Sequence, residues 1–412
     1  KTKNKQIGGV FLMEKNLKQN KGITLVALII TIVVMLILVA VSVNVVVKSN
    51  LIGTAEKTVD KYNKVAEEEG NSGVIEIDGK KYNSIDDYIN LSSINIPGGT
   101  RVTEPIEYKV GDKTAIIPAK FTVSGIDSER TIEGGLVIYL IPEKELKNVK
   151  WDGTEKTKYD QFVWVPVTDA NKMFMCQAKT ADSECNLKIE GNEVICQTHK
   201  TADATKSKKM AGRLYATSTG NNFNSSLTTQ TYNANSGLRE PATINADSTN
   251  NIELTKLQEE YNNAVKKVIE SKGFWIGRYE TSGMNSNSSN DSTTTLSIVA
   301  GKGTSNGINN VNWYRMYKQQ QNYASQKILD TTKIQSTMIF GAAWDQTMIF
   351  ANCATETTPT KSYSEVVTGN VEGDCYKNIY DLCGNLYERT TEADNAYDRV
   401  YRGRNLSRQW FC

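Results

Sequence analysis

The stretch YDLCGNLYERT, residues 380–390, carries the local pattern that decides the fold of this chain. At its centre, Gly384 and Asn385 form a turn pair, because both residue types tolerate a positive φ angle. Apolar side chains around this turn can face a core, whereas three polar side chains present oxygen atoms around one bend: Asp381, Asn385 and Glu388. Two interpretations stay open, since these oxygens can bind a calcium ion or cap nearby backbone groups. No other cofactor is expected.

Short strand patterns precede this corner along the chain. They are rich in β-branched and aromatic residues, and they read AKFTVSG (119–125), GGLVIYLIP (134–142), FVWVPV (162–167) and GFWIGRYETS (273–282). One amphipathic helix pattern places five apolar side chains on a single stripe: Leu254, Leu257, Tyr261, Val265 and Val268. Residues from about 168 to 251 are poor in apolar side chains, which predicts a polar surface insertion. The sequence therefore predicts an α+β domain with short strands, few helices and much loop.

Four stretches in a fixed order resemble the formylglycine-generating enzyme (sulfatase-modifying factor) family, a branch of the C-type-lectin fold. They are FVWVPV, GFWIGRYETS, the pair VNWYRMYKQQQNYA (311–324) and STMIFGAAWDQTMIF (336–350), and NIYDLCGNLYERTTEA (378–393) with RVYRG (399–403). The resemblance spans about residues 162–403 and implies helices in the third stretch. It assigns the family signature to Asp381, Gly384, Asn385, Glu388, Arg402 and Gly403. Some members of this family bind calcium near that signature.

Catalysis is not expected from this domain. The resembled enzymes act through two cysteines that follow an RGG strand and bind copper, whereas this chain has Arg404 at the second glycine and a single Cys412 beyond it. The one histidine, His199, lies in a polar, loop-like segment, which argues against catalytic triads and multi-histidine zinc sites. The alternative is an oxidase of this family that acts on a peptide thiol.

The cysteines and the charge balance argue against further classes. None of the seven cysteines forms a C-x-x-C pair, which argues against zinc ribbons and thioredoxin-like sites. Cys176, Cys185 and Cys196 lie close in sequence, so an extracellular domain is predicted to form a disulfide among them. With 48 basic and 46 acidic residues and no basic stripe, the chain is not expected to bind nucleic acid.

The N-terminal part resembles type IV prepilins. Residues 23–47 carry no charge. As a helix they extend about 37 Å, which is enough to cross a hydrocarbon core of about 30 Å. A lysine-rich leader that ends at Gly22 directly precedes this segment. The resemblance implies cleavage between Gly22 and Ile23 by a prepilin peptidase, with Met13 as an alternative start. An uncleaved signal anchor is the other interpretation.

Together these patterns predict a domain order and a location. The expected segments are a leader (1–22), a pilin-like transmembrane and extended helix (23–70), a hairpin with a short helix and linker (71–100), and a C-terminally incomplete lectin-fold domain (101–412). We expect a single-pass membrane protein that displays this domain outside the cell, where it binds a protein or glycan ligand. The combination of a pilin-like helix with such a domain resembles surface proteins of low-GC Gram-positive bacteria, which implies the surface of such a cell. Ala27 stands where pilins carry a glutamate, which disfavours a filament body. A structural or tip subunit of a pilus-like filament, with assembly partners, is the second alternative.

Overall fold

The computed structural model describes residues 75–77, 80–82, 91, 94–178, 184–212, 254–281, 302, 313–351, 367–370, 375–382, 388–393 and 399–402. The chain divides into two compact units, Lys1–Tyr88 and Ile89–Cys412. The architecture is mixed α+β with few helices and many loops, which confirms the predicted class. Within the described ranges, no helix is both long and apolar enough to span a bilayer. The predicted leader and transmembrane helix, and also Gly384, Asn385 and Gly403, lie outside those ranges.

In the first unit, two short strands pair as an antiparallel hairpin. They are β1 (Ile75–Ile77) and β2 (Lys80–Tyr82), with Ile77 opposite Lys80. The two residues between them in sequence are Asp78 and Gly79, a dipeptide that favours two-residue hairpin turns.

The second unit contains the other strands and all described helices. The strands are β3 (Ile106–Val110), β4 (Lys113–Ile117), β5 (Thr122–Val123), β6 (Val137–Leu140), β7 (Asp160–Pro166), β8 (Phe174–Cys176), β9 (Leu187–Glu190), β10 (Glu193–Cys196), β11 (Met210–Gly212), β12 (Gly273–Gly277), β13 (Cys375–Tyr376), β14 (Ile379–Tyr380), β15 (Glu388–Ala393) and β16 (Arg399–Arg402). The helices are α1 (Glu143–Leu146), α2 (Ala170–Met173), α3 (Leu254–Ser271), α4 (Trp313–Gln326) and α5 (Gly341–Ala351). The helices α4 and α5 occupy the third resembled stretch.

A four-stranded antiparallel sheet of order β12-β7-β6-β5 forms the centre of this unit. Because strand side chains alternate between faces, Trp164 packs on one face with Tyr323 of α4. Its neighbours Val163 and Val165 pack on the other face with Trp344 of α5. The strand patterns of the sequence therefore become the two-sided core of the domain.

The described part of the predicted polar insertion is a packed unit rather than a surface loop alone. β8 pairs with β11, and β9 pairs with β10 as a hairpin. Their apolar side chains form a cluster with the buried stripe of α3, in which Tyr261 and Val265 are fully buried. The amphipathic pattern of α3 therefore has a partner on the insertion, and the helix prediction is confirmed.

Candidate functional site

The signature residue Asp381 accepts hydrogen bonds from one side chain and one backbone N–H group. Asp381 is 1 % exposed, and its Oδ2 accepts hydrogen bonds from Thr368 Oγ1 at 2.6 Å and from the Gly369 N–H at 2.8 Å. This is the capping role, one of the two interpretations of the signature oxygens. Glu388 is half-buried at the start of β15. Because Asn385 lies outside the described residues, the calcium site stays a prediction.

A second signature residue, Arg402, forms an ion pair with the fully buried Glu392. Arg402 Nε and Nη2 donate to the two Glu392 carboxylate oxygens at 2.8 and 2.7 Å. Its guanidinium also lies 5.6 Å above the Trp344 ring. Bidentate geometry of this kind fixes both partners in position, so the pair holds the β15–β16 hairpin against α5. The sequence did not single out Glu392.

All four resembled stretches line one cavity of about 640 Å³. Its aromatic walls come from Phe162, Trp164, Phe274, Trp275, Tyr323 and Trp344. Its polar groups include Glu280, Glu388 and Arg389. A largely apolar cavity of this volume with a few polar groups is typical of ligand sites. The sequence placed the four stretches in order, but only the fold brings them to one cavity.

Strand β12 lies at the edge of the central sheet, and the cavity borders it on both faces. Phe274 and Ile276 point to the face covered by α5, whereas Trp275 points to the face covered by α4. The Arg278 N–H points toward β7, because it donates to the carbonyl oxygen of Gln161 in that strand at 3.0 Å. Backbone groups alternate in direction along an antiparallel strand. The N–H groups of Trp275 and Gly277 therefore point away from β7.

A buried network of charged and polar side chains fixes the end of β12. Arg278 Nη1 lies 2.8 Å from Glu129 Oε1 and donates to Gln161 Oε1 at 3.0 Å. Glu129 also accepts hydrogen bonds from Ser124 Oγ at 2.6 Å and from Tyr139 Oη at 2.7 Å. Burial raises the pKa of Tyr139 far above its ordinary value, so this hydroxyl keeps its proton and donates. The network therefore ties the residue that follows β12 to Gln161 of β7 and to Glu129.

Three cysteines and the single histidine meet in the insertion, and we call them the cysteine–histidine cluster: Cys176, Cys185, Cys196 and His199. Their ligand atoms all lie within 4.8 Å of one another. The sulfur atoms lie 3.3, 3.7 and 3.0 Å from His199 Nδ1, in the order of the chain. All four side chains are buried, with 0 to 5 % exposure.

Local structure brings these four side chains together. Cys176 ends β8, Cys196 ends β10, and His199 lies in the turn after β10, where its carbonyl accepts from the Ala202 and Asp203 N–H groups at 3.2 Å. The Cys176 N–H donates to Cys185 Sγ at 3.5 Å. A hydrogen bond from the Cys176 thiol lowers the pKa of Cys185, and the same contact raises the pKa of Cys176.

The cluster corrects two expectations from the sequence. All three cysteines are free thiols, so the described structure has no disulfide among them. His199 is 4 % exposed, although its polar segment predicted a solvated loop. The available signal was the spacing C-x8-C-x10-C-x2-H, which gathers three soft ligands and the only histidine within 24 residues. This spacing contains no C-x-x-C pair, which is the usual sign of a zinc site in a sequence.

No protein-family model, no curated protein and no solved structure matches this chain. The resemblances to prepilins and to the formylglycine-generating enzyme family therefore stay hypotheses that rest on the quoted motifs.

Proposed function

We propose that this chain is a membrane-anchored surface protein whose described domain binds an extended protein segment along the edge of β12. The carrying observation is the edge strand itself, which has the cavity of about 640 Å³ on both of its faces. A bound segment would add a fifth strand to the sheet, a mode of recognition in which backbone hydrogen bonds supply affinity.

The backbone of β12 supports this mode. The N–H groups of Trp275 and Gly277 point away from β7, so they can donate to the carbonyl groups of an added strand. The buried pair Arg278–Glu129 holds the strand in place before binding, which reduces the entropy lost on association.

The side-chain lining supports a specific ligand chemistry. An added strand would direct alternate side chains to the two faces of the sheet. One set would meet Trp164 and Trp275, and the other would meet Phe274 and Trp344. The preferred ligand is therefore a protein segment with apolar or aromatic residues at successive positions, rather than a glycan.

The location is part of the same proposal and rests on the sequence. Residues 23–47 are long enough for a single membrane span, and long domains cross a membrane regardless of charge. Protease added to intact cells should then remove the domain. Complete protection would place it on the inner side and contradict surface display.

A peptide-display library tests the binding mode directly. The full chain, purified in detergent, is screened with random peptides, and enriched peptides are titrated against Gly277→Pro and its matched control Gly277→Ala. Proline removes the outward N–H, whereas alanine keeps it. A Cβ at this position meets Tyr279 O at 3.1 Å, so alanine needs only a small adjustment.

We expect Gly277→Pro to weaken peptide binding about tenfold or more, as for the loss of a buried hydrogen bond, and Gly277→Ala to change it little. Circular dichroism of both variants shows whether the fold is kept. Equal peptide binding by the two folded variants, or binding of glycans but no peptide, would overturn the proposal.

A further inference from the structure

We propose that the cysteine–histidine cluster is a structural zinc site, with Cys176, Cys185, Cys196 and His199 as its four ligands. This inference is independent of peptide binding at β12. It assigns a metal to a part of the chain for which the sequence predicted a polar insertion and a disulfide among its cysteines.

The arrangement of atoms around His199 Nδ1 supports a metal rather than a hydrogen-bond network. An imidazole nitrogen donates or accepts along one direction in the ring plane. Three sulfur atoms nevertheless lie between 3.0 and 3.7 Å from this single nitrogen. One thiol can satisfy the nitrogen, so hydrogen bonding leaves the convergence of the other two unexplained.

The distances agree with a tetrahedral site. With Zn–S bonds of about 2.3 Å and Zn–N bonds of about 2.0 Å, the sulfur–nitrogen edges of a tetrahedron are about 3.5 Å. The observed sulfur–nitrogen distances of 3.0 to 3.7 Å surround this value. Three sulfurs and one nitrogen provide the four ligands that a closed structural site requires.

The ligand chemistry selects zinc among common metals. Thiolates are soft ligands that favour zinc, copper(I) or iron–sulfur clusters, and three thiolates with one imidazole in tetrahedral geometry are typical of zinc. Calcium and magnesium prefer oxygen ligands, which this cluster does not offer. All four ligand side chains are buried, so the site is closed to a substrate and structural in role.

The surrounding contacts fit a metal site. The Cys176 N–H points at Cys185 Sγ, which stabilises negative charge on the sulfur. Two N–H groups donate to the His199 carbonyl, so the backbone turn that carries the ring is held by hydrogen bonds. Such supporting contacts are the usual companions of metal ligands.

Zinc would fix the insertion on α3. The Met210 N–H donates to Asn262 Oδ1 at 2.9 Å, and Asn262 Nδ2 donates to Lys208 O at 2.9 Å. Gln258 Nε2 also donates to Met210 O at 2.8 Å. Because β11 pairs with β8, which carries Cys176, the metal stabilises the surface that α3 covers.

The test measures metal content in the full chain, purified in detergent without chelators, by elemental mass spectrometry. The wild-type protein and Cys375→Ser, which removes a free thiol outside the cluster, should each contain about one zinc per chain. Cys196→Ser should contain little zinc. Copper or iron in place of zinc, or equal zinc content in wild type and Cys196→Ser, would overturn the assignment.

A second measurement keeps the test valid if Cys196→Ser does not fold. Cobalt(II) replaces zinc in the wild-type protein, and tetrahedral thiolate coordination gives intense visible bands with a thiolate-to-cobalt charge-transfer band. We expect these bands in wild type and in Cys375→Ser. A thiol titration of the denatured protein, with and without reductant, detects the competing structure. A disulfide within the cluster, or the absence of tetrahedral cobalt bands, contradicts the proposal.

Discussion

Arg402 shows how a single signature residue contributes to this fold. Its guanidinium neutralises Glu392, a carboxylate with 0 % exposure that also accepts a hydrogen bond from Thr390 Oγ1. The pair is close to Gly341, where an added Cβ would meet Glu392 atoms at 2.2 Å. The first residue of α5 therefore has to be small, because the buried carboxylate occupies the space beside it.

Removal of the Arg402 charge should destabilise the domain strongly. Arg402→Gln leaves Glu392 buried without its cation, and we expect the free energy of unfolding to fall by about 3–5 kcal/mol. Lys318→Gln, on the exposed side of α4, is the control and should change it by less than about 0.5 kcal/mol. Urea unfolding followed by tryptophan fluorescence measures both. Similar values for the two variants would mean that the ion pair contributes little in solution.

Tyr108 should make stability depend on pH at the alkaline end. Its ring is fully buried, its hydroxyl donates to Arg130 O at 2.9 Å, and burial raises its pKa from 10.0 to about 12. At pH values between these two pKa values, Tyr108 keeps its proton in the folded state and has lost it in the unfolded chain. The free energy of unfolding therefore falls as the pH rises through this interval.

The variant Tyr108→Phe isolates this contribution, because it removes the proton and keeps the ring. We expect the free energy of unfolding to fall less steeply with pH in Tyr108→Phe than in wild type, from the ordinary tyrosine pKa upward. Urea unfolding at a series of alkaline pH values measures the two slopes. Identical slopes would show that the hydroxyl of Tyr108 titrates normally in the folded protein.

At the scale of elements, α3 joins the insertion to the centre of the domain. Its Tyr261 ring lies 6.1 Å from Phe174 of the insertion and 4.6 Å from Phe340, which precedes α5. On the same helix, Gln258 and Asn262 hold the β11 backbone through hydrogen bonds. The apolar stripe of α3 therefore packs against both the insertion and the segment that leads into α5.

Truncation of Tyr261 should weaken the packing of α3 against the insertion and against Phe340. Tyr261→Ala removes a fully buried aromatic side chain, and we expect a loss of about 3–5 kcal/mol in the free energy of unfolding. Glu259→Ala, an exposed position on the same helix, is the control and should have little effect. Chemical denaturation of both variants measures their free energies of unfolding. An intact stability in Tyr261→Ala would mean that the insertion and the sheet do not depend on α3.

At the scale of the whole molecule, membrane attachment is a prediction from residues 1–50, which lie outside the described part. Gly22→Leu should block cleavage by a prepilin peptidase and leave a slower-migrating precursor. Asn16→Leu, within the same leader, should be processed normally. N-terminal sequencing of the mature wild-type protein should begin at Ile23. Any other first residue would favour the uncleaved anchor or a different protease.

The sequence by itself determined the features that repeat over a few residues. The β-branched and aromatic residues of FVWVPV predict a strand, and in the structure this strand places Trp164 on one face and Val163 and Val165 on the other. The stripe of α3 likewise predicts its buried face. The strand and helix predictions succeed because the side-chain period of two residues in a strand, or 3.6 in a helix, decides which side chains are buried on one face.

Only the tertiary structure decided which distant residues meet. Strand order places β12 at an edge, and no local pattern records that order. Glu129 and Arg278 pair across 149 positions of the chain. The polarity of the segment around His199 predicted exposure, because composition reports an average and not the position of one imidazole. Cys176, Cys185 and Cys196 meet that ring because strand pairing and burial bring the ends of β8 and β10 together.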